Sequence, residues 1–247
     1  MTEEELAAFY PADYWGAENE PTQRWIESSQ SDKLSFLRAC GLAGGKILDV
    51  GCGSGFFLRA LDPARWERFG VEIGEGASQA AKRALGSDRL FAGTLNEAGY
   101  SESQFDVVTM WSALEHTNQP RTTLIEARRI LKPGGRLIVQ VPNAGSYQLR
   151  LFSGGWFALD VPRHRYHFTP KALEWLLAET GFAICRKTFF SKAHNAHALR
   201  QSLKAKMFSN GPARALFFLS IPLIKPVDLV MSALGQGATL TVAARAM

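Results

Sequence analysis

The chain has 247 residues, 46% of them apolar and 21% charged, with a formal net charge of +5. This composition supports a sizeable core and excludes global disorder, and three scattered cysteines, Cys40, Cys52 and Cys185, exclude a disulfide framework or CxxC zinc site. The charge is uneven: from Ala183 onward nine Lys or Arg face one acid, Asp228, while the acidic start Met1-Thr2-Glu3-Glu4-Glu5 is not an export signal, so a cytoplasmic location is expected.

A Tyr- and Trp-bearing lead-in (Tyr10, Tyr14, Trp15) precedes an amphipathic helix expected over residues 22–40. Lys46–Val50 is a short apolar run reaching Gly51 and reads as a buried first strand, with a helix over Ser54–Leu61 behind it. Phe69–Glu72 predicts the second strand, Gly76–Leu85 a helix, Arg89–Ala92 a third strand and Phe105–Met110 a fourth. A helix over Thr122–Leu131 is closed by Lys132-Pro133-Gly134-Gly135, and Arg136–Val141 forms a fifth strand halted by Pro142. Thr169-Pro170 starts a helix that runs to Thr180 and stops at Gly181; Phe182–Phe190 and Thr239–Ala244 are strand-like. An insertion of about 192–236 separates these last two.

Alternation of strand and helix predicts an α/β, doubly wound, Rossmann-like sheet of seven mostly parallel strands in a single domain. Residues 1–44 would form a helical cap, 45–142 the cofactor-binding half, and 143–247 a substrate half carrying the helical insertion.

The chemistry begins at Asp49-Val50-Gly51-Cys52-Gly53-Ser54-Gly55, where a strand hands over to a helix. Glycines permit a tight turn and close approach of backbone to a ligand, and a helix N-terminus favours an anion. The dinucleotide fingerprint needs a third glycine at the position of Phe56, so the spacing argues against a nicotinamide cofactor. Glu72, about twenty residues on, ends a strand where an acid can accept both ribose hydroxyls. Further along stand Phe105-Asp106-Val107-Val108 with Glu115-His116, then Leu131-Lys132-Pro133-Gly134-Gly135.

Together these segments resemble, in order, the motifs of class I S-adenosylmethionine-dependent methyltransferases. The resemblance implies S-adenosyl-L-methionine as cofactor, with contacts from Asp49, Gly51, Cys52, Gly53, Gly55, Glu72, Ile73, Thr94, Leu95 and Trp111. Many relatives carry an Asp after the third strand for the adenine amine; here Ala92-Gly93-Thr94-Leu95 leaves adenine to backbone and apolar packing. Ubiquinone-pathway members have a Glu-x-x-Glu-His associated with a metal. Ser112 stands in place of the first Glu, so no metal is expected.

Deprotonating a hydroxyl acceptor calls for a base, and His116, beyond the fourth strand, and His164 are the two catalytic candidates. His164 lies in Trp156–Pro170, which resembles the "PRH…HF" segment of a ubiquinone-methyltransferase-like (2-polyprenyl-hydroxybenzoquinol methylase-like) subgroup. Tyr14, Trp156, Arg163 and His167 are candidate acceptor contacts, Arg163 for an anionic group. The expected acceptor is a small molecule such as a sugar derivative or a phenol or quinone-like compound, methylated on oxygen rather than nitrogen. A nucleic acid is not expected, because no Asn/Asp-Pro-Pro-aromatic motif follows the fourth strand. A non-catalytic scaffold with this fold stays open.

In the insertion, Leu199, Leu203 and Met207 share one helical face with Arg200, Lys204 and Lys206 elsewhere, and Leu216–Ile224 is very apolar but too short to span a bilayer. Peripheral attachment to the inner face of a membrane, a substrate cap and a dimer surface are the alternatives.

Overall fold

The computed structural model describes residues 20–208 and 226–247. Tyr10, Tyr14, Trp15 and the apolar run 216–224 lie outside the described residues.

A long helix, α1 (Glu20–Ala39), leads into β1 (Gly45–Val50), α2 (Phe56–Ala60), β2 (Trp66–Glu72), α3 (Glu75–Leu85) and β3 (Leu90–Ala92). The second half begins with β4 (Phe105–Trp111), α4 (Pro120–Ile130) and β5 (Leu131–Pro142). It continues through α5 (Tyr147–Phe152), α6 (Pro170–Glu179), β6 (Phe182–Thr188) and α7 (His194–Phe208) to a helix at 226–233, α8, and β7 (Thr239–Ala246). The seven strands form one sheet in the order β3-β2-β1-β4-β5-β7-β6, with β7 antiparallel to both neighbours. The sheet is thus mostly parallel, of the α/β Rossmann-like type, and strands from both halves of the chain belong to it.

Helices cover both faces. On one, Phe36 and Leu37 of α1, Phe57 and Leu58 of α2 and Ala81 of α3 pack on Ile47, Val107 and Ile138. On the other, Leu124, Ala127 and Ile130 of α4 and Leu173, Leu176 and Leu177 of α6 pack on Leu48, Val108 and Val139. Alternation along β1, β4 and β5 therefore sends successive apolar residues to opposite layers, as a fully buried strand requires. A third cluster of Phe152, Trp156, Ala198, Leu199 and Ala238 seats α7.

Two elements differ from the sequence expectation. Lys132-Pro133-Gly134-Gly135 does not simply close a helix: Leu131 already pairs with Phe105, and the ladder resumes at Val107 with Arg136. The four residues between are a bulge inside β5, turned by Gly134 at φ 74°. After β5, Ser146 accepts the Leu149 N–H and starts the short α5, for which the sequence reading gave no element.

Phe105 is fully buried and meets Phe69 and Tyr100 edge-on, with ring centroids 5.5 and 5.0 Å away. Phe105→Ala removes both contacts and leaves a cavity. Urea unfolding should show a loss of about 3–5 kcal/mol; a loss below about 1 kcal/mol would mean this layer collapses around the gap.

Candidate active site

Strand order reverses between β1 and β4, so the loops at their carboxyl ends diverge and leave a crevice. Gly51, Gly53 and Gly55 line the β1 side, all with positive φ (70°, 54° and 77°). Gly51 and Gly53 are required for different reasons. A Cβ on Gly51 would stand 2.7 Å from the Ala113 Cβ, while one on Gly53 would meet no protein atom within 4 Å. Gly51 lets the turn lie against the end of β4; Gly53 leaves bare backbone facing open space. Across the crevice, Ser112 holds φ 52°, an uncommon conformation for a residue with a side chain.

Two acids flank the turn. Glu72 accepts from the Gly53 N–H (2.8 Å) and the Gly74 N–H (2.7 Å) through its two oxygens. It therefore braces the glycine turn, and only its remaining lone pairs can serve a ribose. Asp49 is buried, accepts from the Thr109 hydroxyl at 2.6 Å, and has its pKa pushed up to about 7, chiefly by burial. The charge opposing that shift is Lys33 of α1, a residue the sequence reading missed. Its ammonium lies 5.5 Å from the Trp111 ring and 5.7 Å from that of Phe57, and burial lowers its pKa to about 8. The stripe Ser29, Lys33, Phe36, Leu37 repeats at i, i+4, i+7 and i+8, the signal that could have placed Lys33 inward. A cation and a run of backbone N–H groups at one helix start suit the carboxylate of an amino-acid ligand.

Other expected cofactor contacts are less exposed to the crevice. Cys52 is buried under the turn, Leu95 is a core side chain and Ile73 is largely exposed. The Thr94 N–H and hydroxyl are both taken by Glu97 (2.8 and 2.7 Å), so that backbone group is occupied within the protein. Trp111 is buried at the end of β4, edge-on to Phe57 at 5.4 Å, with no hydrogen bond to its indole N–H.

The β4 side carries the acceptor candidates. A short 3-10 turn, Leu114–His116, is held to the 156–168 segment because the Glu115 carbonyl accepts from the Arg165 (2.9 Å) and Tyr166 (3.3 Å) N–H groups. His116 and His164 meet edge-on at 4.7 Å. Each turns Nδ1 to a backbone carbonyl, of Arg163 (3.0 Å) and Ala158 (2.9 Å) respectively. A carbonyl can only accept, so both Nδ1 atoms carry hydrogen and the lone pairs sit on Nε2. Burial lowers both pKa values, that of His116 to about 4, so both rings are neutral at pH 7. Glu115 is fully buried, neither carboxylate oxygen has a hydrogen-bond partner, and burial pushes its pKa up to about 8.

One donor atom each from Glu115, His116 and His164 lie within 4.8 Å of one another. The expectation of no metal rested on Ser112 standing where relatives have Glu; the fold supplies another donor, His164, from a loop. Two neutral imidazoles and a buried carboxyl group that a cation would ionise fit a divalent cation.

Arg163 is committed to Asp160 through a guanidinium–carboxylate pair, and His167 bonds the Leu159 carbonyl at 2.8 Å. Trp156 stands apart from this group, buried beneath α7 with its indole N–H on Gln148. Arg165, not singled out from sequence, instead has Nε and Nη2 buried without partners.

Gly53→Val should leave a folded protein, destabilised by about 1–2 kcal/mol for its left-handed φ, yet abolish S-adenosylhomocysteine binding in calorimetry. Unchanged affinity would remove this turn from the site. Asp49 carries an extra proton in the folded state from about pH 4 to 7, so its contribution to stability falls as pH rises through that window. The ligand-free melting temperature should drop over that range, and less steeply in Asp49→Asn; parallel profiles would refute the raised pKa.

A family model described as a methyltransferase domain matches residues 22–187. A ubiquinone biosynthesis O-methyltransferase of Azoarcus sp. is 34% identical over 52% of this chain and 58% of its own length. One from Methylococcus capsulatus is 30% identical over 55% of this chain and 61% of its own. The matches thus span under two-thirds of the length of these curated relatives. A SAM-dependent methyltransferase of Thermotoga maritima shares the fold, with a TM-score of 0.58 at 21% identity over 92% of this chain and 95% of that one. The chain belongs to the methyltransferase-domain family, the class I S-adenosylmethionine-dependent methyltransferases, and over part of its length is similar to ubiquinone biosynthesis O-methyltransferases.

Proposed function

We propose that the chain methylates a hydroxyl oxygen of a small phenol- or quinol-like acceptor. The observation that carries this reading is the meeting of Glu115, His116 and His164 at the carboxyl end of β4, across the switch point from the glycine turn. The relatives named for ubiquinone biosynthesis support the acceptor class over a sugar derivative.

S-adenosylmethionine, when bound, supplies a methyl group on a positive sulfur, and its transfer to the acceptor oxygen yields S-adenosylhomocysteine. Gly53 lets the protein backbone approach that ligand, Glu72 holds the turn in place, and Lys33 offers a cation to its carboxylate. Alignment of oxygen and methyl carbon is worth roughly 7–11 kcal/mol in such displacements, and the 156–168 segment closes the β4 side where that alignment is set. The hydroxyl proton must leave, and His116 and His164 are the candidate bases on the β4 side, the latter with its Nε2 3.8 Å from the Asp160 carboxylate. A base with a pKa near 4 is weak, which favours a second use of the same atoms. Glu115, His116 and His164 would hold a divalent cation, which supplies Lewis-acid stabilisation of an acceptor oxyanion.

Turnover with catechol-type phenols should fall about 10²–10⁴-fold in His116→Ala and His164→Ala, with S-adenosylhomocysteine affinity preserved. Loss of activity on chelation, restored by Mg²⁺, Mn²⁺ or Zn²⁺, supports the cation. Chelator-resistant activity assigns the histidines as bases. Full turnover in both variants removes the cluster from the mechanism.

A further inference from the structure

The helix at 226–233 is inside out. Its inward residues are Asp228 and Ser232, both buried, while Val227, Leu229, Val230 and Leu234 are 46%, 54%, 59% and 64% exposed. At 100° per residue Asp228 and Ser232 share one side. Val227, Val230 and Leu234 follow one another at i, i+3 and i+7 on the other, with Leu229 beside them. A surface helix in water shows the opposite arrangement, with polar groups out and apolar groups in.

The orientation is fixed by specific contacts. Asn195 of α7 donates from Nδ2 to the Ser232 hydroxyl (3.1 Å) and to the Phe189 carbonyl (3.0 Å). Just beyond the helix, Gly237 lies so close that an added Cβ would stand 2.6 Å from the Ser232 Oγ and 1.9 Å from the Phe189 carbonyl oxygen. Rotating the helix to bury its valines and leucines would break the Asn195–Ser232 hydrogen bond and carry Ser232 out of its close fit against Gly237. The apolar row faces outward because the packing holds it there.

The charges around this row decide what can cover it. Asp228 is the one acid after residue 182, and it points inward. Arg150 is exposed and its guanidinium bonds the Gln236 side chain, which places a cation at the carboxyl end of the helix. Lys192, just before the neighbouring α7, and Arg200 and Lys204 along it are exposed. In sequence, Lys225 immediately precedes the helix and the apolar run 216–224 precedes Lys225. A second copy of this chain would bring like charges against this face; an anionic surface with an apolar interior satisfies both features. Among the described residues no helix is long and apolar enough to cross a membrane, so contact would be with one leaflet.

We propose that the outward face of this helix, Val227, Leu229, Val230 and Leu234, docks on an anionic lipid bilayer with the flanking cations at its headgroups. The test is flotation of the full chain with phosphatidylcholine vesicles, with and without about 30% phosphatidylglycerol. The wild type should float with the anionic vesicles, less so in high salt, and not with phosphatidylcholine alone. Val230→Glu with Leu234→Glu, both at exposed positions, should weaken flotation by roughly tenfold or more, with melting temperature and S-adenosylhomocysteine affinity unchanged. Absence of wild-type flotation, or full flotation of the double variant, overturns the proposal. So does a concentration-dependent dimer in light scattering that these substitutions abolish, which gives the face to a second copy.

Discussion

The contact on which the crevice depends is the approach of the loop after β1 to the end of β4. Gly51 sits where any side chain would strike Ala113. Asp49 and Thr109, side by side on the paired strands, are joined by a 2.6 Å hydrogen bond just beneath. That closeness sets the floor of the site, brings Trp111 over Phe57, and starts the turn that delivers Glu115 and His116. Glu72 ties the same loop to the next strand. Three strands are thereby locked around one glycine-rich turn, and the geometry is present in the protein itself.

The electrostatics of the crevice follow from how little charge compensation the fold supplies. Asp49, Glu72 and Glu115 are all buried and all have raised pKa values, with burial the leading cause in each case. Lys33 is the cation facing Asp49, and backbone N–H groups face Glu72. Glu115 has neither. Buried acids of this kind are costly to the apo fold, and a site that keeps them is one in which stability has been given up for binding.

Much of this was legible in the sequence, for identifiable reasons. Strands β1, β4 and β5 are apolar runs, β1 and β5 bounded by glycine or proline, and the glycine spacing at 51, 53 and 55 separates this turn from a dinucleotide site. What escaped was tertiary. Lys33 reads as a solvated helix charge until α1 is laid across β1 and β4. His164 and Glu115 are 49 positions apart in the sequence, and only the loop's return over β4 makes them neighbours. Trp156 looks like a ligand contact in a histidine-rich segment, yet the third apolar cluster claims it. The inside-out helix defeats periodicity reading altogether, because its pattern is amphipathic whichever face is buried.

One tie in the cap has a bearing on how the molecule is made. Asp32 of α1 accepts from the Ser191 hydroxyl at 2.9 Å and the Ala193 N–H at 3.0 Å, bridging 159 and 161 positions of sequence. The helix that carries Lys33 is therefore clasped by a segment synthesised long after it. On the ribosome the glycine turn and its first strands can assemble early, while the roof over them waits for α7 to emerge. A chain stopped before residue 191 would keep the motif by which the family is recognised and lack this clasp for the Lys33 helix.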